Sequence, residues 1–333
     1  MEEDLKSMND FELEVFKKVL PHSSFLCGIG GVGNVGQFHN DNLFKKTDYE
    51  DSINQSFIHF TSLQSLTSIL NNGYFRFSEF NNFEDKNEIH YAKSVFDDDE
   101  MLKINYQKID NEKECCFAFS ACKVSETTLK NSFMWEKYGN KGTGVSIQFK
   151  INFDKTCHFL LGKMQYGEDG LKPILEIKKL TQEFYNKNKN FRFSNFPLRI
   201  IELLAFHKKE KYREENEVRM LFKVDKLKKY EDHNHDAIYK DITQNNDVRY
   251  FFKTFLTERK PVLGTNSVEI FDEYFEHYPT FEIEKIILGS NIKIEQKDQI
   301  VQLLYSLKTK HNYKFNVFAL NDEIVVVPQI HFK

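Results

Sequence analysis

The stretch FIHFTSLQSLTSILNNGYFRFS, residues 57–78, carries two strand patterns and one helix pattern in immediate succession. FIHFT is a short apolar strand, and YFRFS alternates apolar and polar residues as a half-buried strand does. Between them, leucine and isoleucine recur at helical spacing, and Gly73 is placed to end the helix. The segment therefore predicts a strand, a helix and a second strand.

Further along the chain the same two patterns continue without a regular order. CCFAFSA (115–121), VSIQF (145–149) and EVRMLFKV (217–224) predict strands, whereas residues 125–139 and 171–189 predict helices. A doubly wound parallel sheet needs strands and helices in strict alternation, which this order does not give. We therefore predict an α+β fold.

The domain organisation is predicted from a change of sequence character at residue 57. Residues 1–56 are expected to form an N-terminal extension with a helix over 11–20 and a Gly-rich loop. Residues 57–333 are expected to form one domain that includes strands and a helix at its C-terminal end. The polar segment 226–248 is expected to be a loop.

Composition excludes several classes of protein. The 333 residues are 40% hydrophobic and 29% charged, which is not the composition of a mainly disordered chain. The net charge of −4 gives no overall positive field for nucleic acid or membranes, and no apolar run approaches the ~20 residues that span a bilayer. The acidic N-terminus does not resemble a secretory signal. The five cysteines lack paired spacing, which argues against a disulfide framework. We predict a cytoplasmic protein with no membrane partner and no bound metal.

A Gly-rich segment, CGIGGVGNVG at residues 27–36, contains the pattern G-x-G-x-x-G twice. A dinucleotide-binding turn needs a strand before this pattern and a helix after it. The following QFHNDNLFKK is a poor helix former, so we predict a flexible loop and not a phosphate-binding site. The segment HNHD at 233–236 lies in polar sequence without a second ligand pair and is interpreted as a solvated loop.

Several residues that are far apart in the sequence can each be interpreted as structural or as functional. His59 lies in a strand, Trp135 is the only tryptophan, and both are most often packed side chains. Glu215, Glu217 and Arg219 are alternate residues of a predicted strand, so we expect them on one face. Such a group is usually a surface salt-bridge cluster.

Taken in order, these residues form a series of short motifs. The motifs are H-F-T before the first helix, F-x-F-S, W-x-x-Y-G-x-x-x-x-G and K-x-x-x-Y-x-x-E-x-E-x-R. The series resembles the prokaryotic family called domain of unknown function 2971, from about residue 57 to about residue 290. That family is in turn similar to the ADP-ribosyltransferase fold, which implies split sheets around a cleft with flanking helices, and NAD as a substrate.

The resemblance implies an effector that transfers ADP-ribose to a protein or nucleic acid, in the manner of a bacterial toxin or a phage-defence protein. It also implies an antitoxin or defence-system partner. Glu217 and Glu215 are the implied catalytic residues. The implied NAD-binding residues are His59, Thr61, Ser120, Trp135, Tyr138, Lys208 and Arg219.

Glycosyl transfer from NAD explains why such residues would be needed. Breaking the bond between nicotinamide and ribose leaves positive charge on the sugar, which a fixed carboxylate such as Glu217 stabilises. Glu215 could take the acceptor's proton, Arg219 or Lys208 could pair with the pyrophosphate, and aromatic side chains could stack on nicotinamide. We expect His59, Trp135 and Glu217 to meet at one pocket, and Glu217→Gln to leave the fold nearly intact.

Three other functions remain open from the sequence. Water as the acceptor would make the protein an NAD hydrolase. Binding without turnover would make it a sensor of NAD or another nucleotide. A redox enzyme built on the Gly-rich segment is the third alternative.

Overall fold

The computed structural model describes residues 2–22, 43–52, 54–83, 85, 87–100, 102, 106–152, 159–190, 196–223, 238–242, 248–259 and 279–320. Its helices are α1 Glu2–Phe11, α2 Lys17–Val19, α3 Leu63–Asn72, α4 Glu88–Lys93, α5 Tyr106–Lys113, α6 Glu126–Leu129, α7 Ser132–Lys137, α8 Gly167–Gly170, α9 Lys172–Lys187, α10 Phe196–Leu204 and α11 Ile294–His311. Its strands are β1 Ser56–Thr61, β2 Tyr74–Glu79, β3 Cys116–Lys123, β4 Val145–Asn152, β5 Leu160–Lys163, β6 Gln165–Tyr166, β7 His207–Lys208, β8 Glu217–Lys223, β9 Ile238–Ile242, β10 Val248–Phe255, β11 Thr280–Leu288 and β12 Asn316–Ala319. The segments 27–36 and 233–236 lie outside the described residues.

The chain divides into two compact units, each assembled from three separate segments. The first unit comprises Met1–Asp51, Phe77–Phe119 and Lys155–Phe252, and the second comprises Ser52–Arg76, Ser120–Asp154 and Lys253–Lys333. Helices and strands are mixed in both units, which confirms the α+β prediction. The predicted boundary after residue 56 stays a prediction.

The second unit is organised by β1, β4 and β11. β1 pairs antiparallel with β4 from Ser56↔Lys150 to Thr61↔Val145. β4 pairs antiparallel with β11, and β11 pairs parallel with β12. Phe57, Phe75, Phe149 and Phe281 are buried ring neighbours in this unit. The alternating strand pattern read from the sequence therefore produces an aromatic core here.

Two glycines of the W-x-x-Y-G-x-x-x-x-G motif are explained by close backbone packing in this unit. A Cβ atom at Gly144 would lie 2.3 Å from the carbonyl oxygen of Thr61, where β1 ends. A Cβ atom at Gly139 would lie 2.6 Å from Cε3 of Trp135. Neither position can hold a side chain unless its neighbours move.

Gly144→Ala is therefore expected to destabilise the protein by about 1–3 kcal/mol, because the added methyl group forces the ends of β1 and β4 apart. Chemical denaturation of the purified variant measures the loss. Glu136→Ala, an exposed change on the nearby α7, is the control and should leave the free energy of unfolding unchanged. Equal stability of Gly144→Ala and the wild type would contradict the close packing.

The first unit contains a large apolar core and several strand pairs. β5 pairs antiparallel with β8, and β9 pairs antiparallel with β10. The short strands β6 and β7 pair in parallel, with Tyr166 opposite Lys208. The core gathers buried side chains from α9 and α10, including Ile177, Phe184 and Ile201. In this arrangement β7 and the beginning of β8 contribute polar side chains to the same group.

Two local predictions differ from the structure. The helix expected over 125–139 is broken into α6 and α7, because the Asn131 side chain accepts a hydrogen bond from the backbone N–H of Met134 and begins a new helix. Part of the loop expected over 226–248 is β9, whose polar residues pair with β10. Both errors arise because polar residues can cap a helix or form a strand with one exposed side.

Candidate functional site

Five charged residues of the first unit form a buried cluster. Three are carboxylates and two are cations, and all are at most 7% exposed. The members are Glu88, Lys208, Glu215, Glu217 and Arg219. We call this group the acid cluster. The alternative interpretation as a surface salt-bridge cluster is wrong, because Arg219 is completely buried and Glu217 is 4% exposed.

The local sequence brings Glu215 and Glu217 to the same place through an unusual turn. Glu215 ends a 3₁₀ helix that spans Glu210–Glu215, so the prediction that it lies in the strand is wrong. Asn216 follows in the left-handed conformation with φ of 43°, which asparagine tolerates better than most residues. β8 then begins at Glu217. The turn directs both carboxylates towards one partner.

That partner is the ammonium group of Lys208 on β7. Its Nζ donates to Oε2 of Glu215 at 2.7 Å and also to Oε2 of Glu217. Burial alone would lower the pKa of Lys208, but the neighbouring carboxylates, Glu217 most strongly, outweigh it and raise the pKa above its usual value. Lys208 is therefore positively charged at neutral pH and holds the two carboxylates together.

Arg219 holds Glu217 from the other side. Its Nε donates to Oε1 of Glu217 at 2.8 Å, while Nη1 donates to Glu88 and to the backbone carbonyl of Ala205. Burial opposes the charge of Arg219, but Glu217 and Glu88 outweigh it and raise the pKa. The expectation from the sequence was that Arg219 or Lys208 pairs with a pyrophosphate; in the structure both bind carboxylates.

Tyr166 connects β7 and β8, the two strands that carry Lys208, Glu217 and Arg219. Its backbone pairs with Lys208, and its hydroxyl oxygen accepts a hydrogen bond from the backbone N–H of Glu217 at 2.8 Å. Burial, followed by the charge of Glu217, raises the pKa of Tyr166, so the phenol stays protonated. No motif in the sequence points to Tyr166, because its position depends on the pairing of β6 with β7.

The remaining predicted site residues lie in the second unit. Nδ1 of His59 donates to the backbone carbonyl of Ser120 at 3.1 Å, which leaves Nε2 as an acceptor. The indole N–H of Trp135 donates to the backbone carbonyl of Leu129 at 2.7 Å. Thr61 is half-buried at the end of β1, and Tyr138 is half-buried with Nζ of Lys137 4.8 Å from its ring centre.

The structure does not place His59 and Trp135 on the same side of β1. Trp135 packs edge-on against Phe60, with ring centres 5.0 Å apart, and His59 packs against Phe75. Because neighbouring residues of a strand face opposite ways, His59 and Phe60 point to opposite faces. The expected convergence of His59 with Trp135 is therefore wrong. The NAD-binding roles of the residues in this unit stay predictions.

His59 gives the protein a predictable pH dependence. Burial lowers the pKa of His59 from 6.5 to about 4. Between these two pH values the imidazole is protonated in the unfolded chain and neutral in the folded chain. We expect stability to fall as the pH drops from 6.5 to 4, and His59→Gln to reduce that slope. Denaturation of both proteins at several pH values measures it. His207, whose pKa is also about 4, retains part of the slope. Identical slopes in the two proteins would contradict the assignment.

Neither a set of metal ligands nor a membrane-spanning helix is found among the described residues. No group of three or more His, Cys, Asp or Glu side chains in this part of the chain is arranged to hold a metal ion. No described helix is both long enough and apolar enough to cross a membrane.

Comparison with protein families gives one match. Residues 134–220 match a family model described as "Protein of unknown function (DUF2971)", which confirms the resemblance over this segment, while its extension to about residues 57–290 stays a prediction. The matched segment contains Trp135, Tyr138, Lys208 and the pair Glu215 and Glu217. No curated protein and no solved structure matches the chain. The implied similarity to ADP-ribosyltransferases stays a prediction.

Proposed function

Because residues 134–220 match a family of unknown function, that family supplies no activity, and we propose one from the acid cluster. We propose that the protein transfers ADP-ribose from NAD to a macromolecule and that Glu217 and Glu215 carry the chemistry. The proposal includes the finer expectation of an ADP-ribosyltransferase-like fold, with split sheets around a cleft and flanking helices. It also includes a role as a toxin or defence effector with a silencing partner.

The observation that supports this most strongly is the shared ammonium group of Lys208. It holds the carboxylates of Glu215 and Glu217 side by side, and Arg219 fixes the second oxygen of Glu217. Glycosyl transfer commonly uses two carboxylates next to a sugar that becomes positive in the transition state. Fixed charges stabilise such a state without reorganising during the reaction. The cluster offers this kind of preorganised pair.

The proposed step can be written with its atoms and electrons balanced. An acceptor O–H or N–H attacks C1′ of the nicotinamide ribose and forms the new glycosidic bond. The old C–N bond breaks, and its electron pair goes to the nicotinamide nitrogen, which becomes neutral. Glu217 stabilises the positive charge on the sugar, and Glu215 receives the acceptor's proton and later gives it to solvent.

A second candidate, a sensor that binds NAD without turnover, is favoured by one observation. Both carboxylate oxygens of Glu217 already accept hydrogen bonds from cations of the chain. A carboxylate held in this way can be purely structural, because buried ion pairs are also used to fix a fold. In that case NAD, if it binds, would remain intact.

Incubation of the purified protein with NAD, with and without cell lysate, separates these candidates. We expect free nicotinamide together with labelled macromolecules when the adenylate part of NAD carries the label. Nicotinamide and free ADP-ribose without labelled macromolecules would indicate a hydrolase. Saturable NAD binding with no nicotinamide would indicate the sensor and contradict the proposal.

A further inference from the structure

Asn216 separates the 3₁₀ helix that carries Glu215 from the strand that carries Glu217. Its φ of 43° and ψ of 47° lie in the left-handed region, and its backbone N–H donates to the carbonyl of Arg213 at 3.1 Å. Its side chain is exposed and makes no hydrogen bond within the part of the chain that the structure describes. What Asn216 contributes to the acid cluster is therefore its backbone conformation and not a side-chain contact.

Glu217 is fixed on the strand side of this turn through its own backbone. Its carbonyl accepts a hydrogen bond from the N–H of Met164 at 3.0 Å, and its N–H donates to the hydroxyl of Tyr166 at 2.8 Å. A strand residue normally finds both of these partners in a neighbouring backbone. Here a tyrosine side chain supplies one of them, so both backbone polar groups of Glu217 are held by residues 164–166.

Lys208 is fixed through a second strand pair, because its backbone on β7 lies opposite Tyr166 of β6. The two partners of Glu215 in the cluster are thus attached to the same short segment of chain. The dihedral angles of residue 216 then decide where the chain before β8 runs. A different φ and ψ at Asn216 would swing Glu215 away from Nζ of Lys208, to which its Oε2 lies at 2.7 Å.

We propose that Asn216 is a positioning residue whose left-handed conformation brings the carboxylate of Glu215 to Lys208, next to that of Glu217. Residues with a branched Cβ strongly disfavour this conformation, whereas glycine adopts it freely. The geometric part of the inference does not depend on any reaction. Its consequence for turnover rests on the proposed function, in which Glu215 receives the proton of the acceptor.

Carboxylate labelling tests the geometric part without NAD. The protein is treated with a carbodiimide and an added amine, and tryptic cleavage then yields the peptide 214–219. This peptide contains the exposed Glu214 together with the buried Glu215 and Glu217. In the wild type we expect label at Glu214 and protection of the two buried carboxylates.

Replacements of Asn216 differ in how well they tolerate a positive φ. Asn216→Gly should keep the wild-type pattern, because glycine fits the turn without strain. Asn216→Val should raise the label at Glu215 severalfold and leave Glu217 protected, since only the chain before β8 moves. Asn216→Ala should lie between them, and it provides the comparison if Asn216→Val does not fold.

Asn312 provides a matched control in the second unit. It is also an exposed asparagine in the left-handed conformation, with φ of 59° directly after α11. Asn312→Val therefore introduces the same type of backbone strain and should leave Glu215 protected.

Three labelling results would overturn the proposal. The first is protection of Glu215 in every folded variant at residue 216 except Asn216→Gly. The second is label at Glu215 in Asn216→Gly or in Asn312→Val, because the cause would then be a lost side chain or a general opening of the fold. The third is joint label at Glu215 and Glu217 in Asn216→Val, because β8 would then have moved as well.

Kinetics separate a positioning role from a loss of stability. Asn216→Val should lower kcat about as much as Glu215→Gln does, on the order of 100-fold. It should have little further effect in a protein that already carries Glu215→Gln, because both changes remove the same group from the site. An equal further loss in that background would contradict the positioning role.

The outcome for Asn216 is separable from the outcome for the proposed function. Absence of nicotinamide release by the wild type would contradict ADP-ribosyl transfer and leave the labelling comparison to decide the role of Asn216. Release of nicotinamide together with protection of Glu215 in Asn216→Val and Asn216→Ala would contradict the role of Asn216 alone.

Discussion

Glu217→Gln is expected to lower the turnover number for NAD cleavage by on the order of 100- to 1000-fold. The amide keeps the size of the side chain but removes the negative charge when the ribose becomes positive. An interaction made mainly in the transition state affects kcat and leaves affinity for the ground state nearly unchanged. The measurements are kcat from nicotinamide release and NAD affinity from equilibrium binding.

The burial of Glu217 changes what we expect for stability. The sequence alone suggested that Glu217→Gln would leave the fold nearly intact, but Lys208 and Arg219 both lose a charged partner. Removing one member of a buried ion pair typically costs about 3–5 kcal/mol. A loss of activity therefore needs a control with the same kind of destabilisation.

Glu88→Gln provides that control. Glu88 is as buried as Lys208 and pairs with the same two cations, yet it has no role in the proposed chemistry. We expect similar loss of stability in both variants and loss of turnover in Glu217→Gln only. Equal loss of turnover in the two would show that activity follows the integrity of the cluster and not the charge of Glu217.

Arg219→Met is expected to lower the free energy of unfolding by about 3–5 kcal/mol. The guanidinium group is completely buried between Glu88 and Glu217, and methionine leaves both carboxylates without this partner. Methionine fills much of the same volume, so the loss reports the missing charge more than a cavity. Denaturant unfolding of the variant and the wild type measures it.

The matched control for Arg219 is Arg213→Met. Arg213 pairs with Glu210 only three residues away, and both side chains are more than half exposed. Exposed pairs of this kind contribute little to stability, so the melting temperature should fall far less than in Arg219→Met, even though the hydrogen bond from Arg213 to the carbonyl of Tyr166 is also lost. Arg219→Met with a melting temperature equal to that of Arg213→Met would show that the buried network does not support the fold.

The elements of the fold were predictable where periodicity is strong. The strand–helix–strand order of 57–78 appears as β1, α3 and β2, because its apolar residues follow the two local periods closely. The shared face of Glu217 and Arg219 also followed from the period of a strand. The prediction for Glu215 was wrong because Glu215 and Glu217 are also two residues apart, as alternate residues of a strand are. The left-handed conformation of Asn216 separates Glu215 from the strand.

The environment of the candidate site was not predictable from local sequence. Glu88 lies 131 residues before Arg219, so only the packing of α4 in the first unit makes them partners. The burial of Glu217 likewise depends on distant residues such as Tyr166, which lies 51 residues earlier. Trp135 packs against Phe60, which points to the side of β1 opposite to His59. The order of motifs along the chain does not show on which side of a strand a residue lies.

The most direct test of the central claim is nicotinamide release from NAD by the wild type, Glu88→Gln and Glu217→Gln, measured together at one temperature below all three melting points. Lysate is present as a source of acceptors. We expect release by the wild type and by Glu88→Gln, and a rate lower by at least about 100-fold for Glu217→Gln. Release by none of the three, or equal release by all three, would contradict the assignment of the acid cluster as a catalytic centre for NAD.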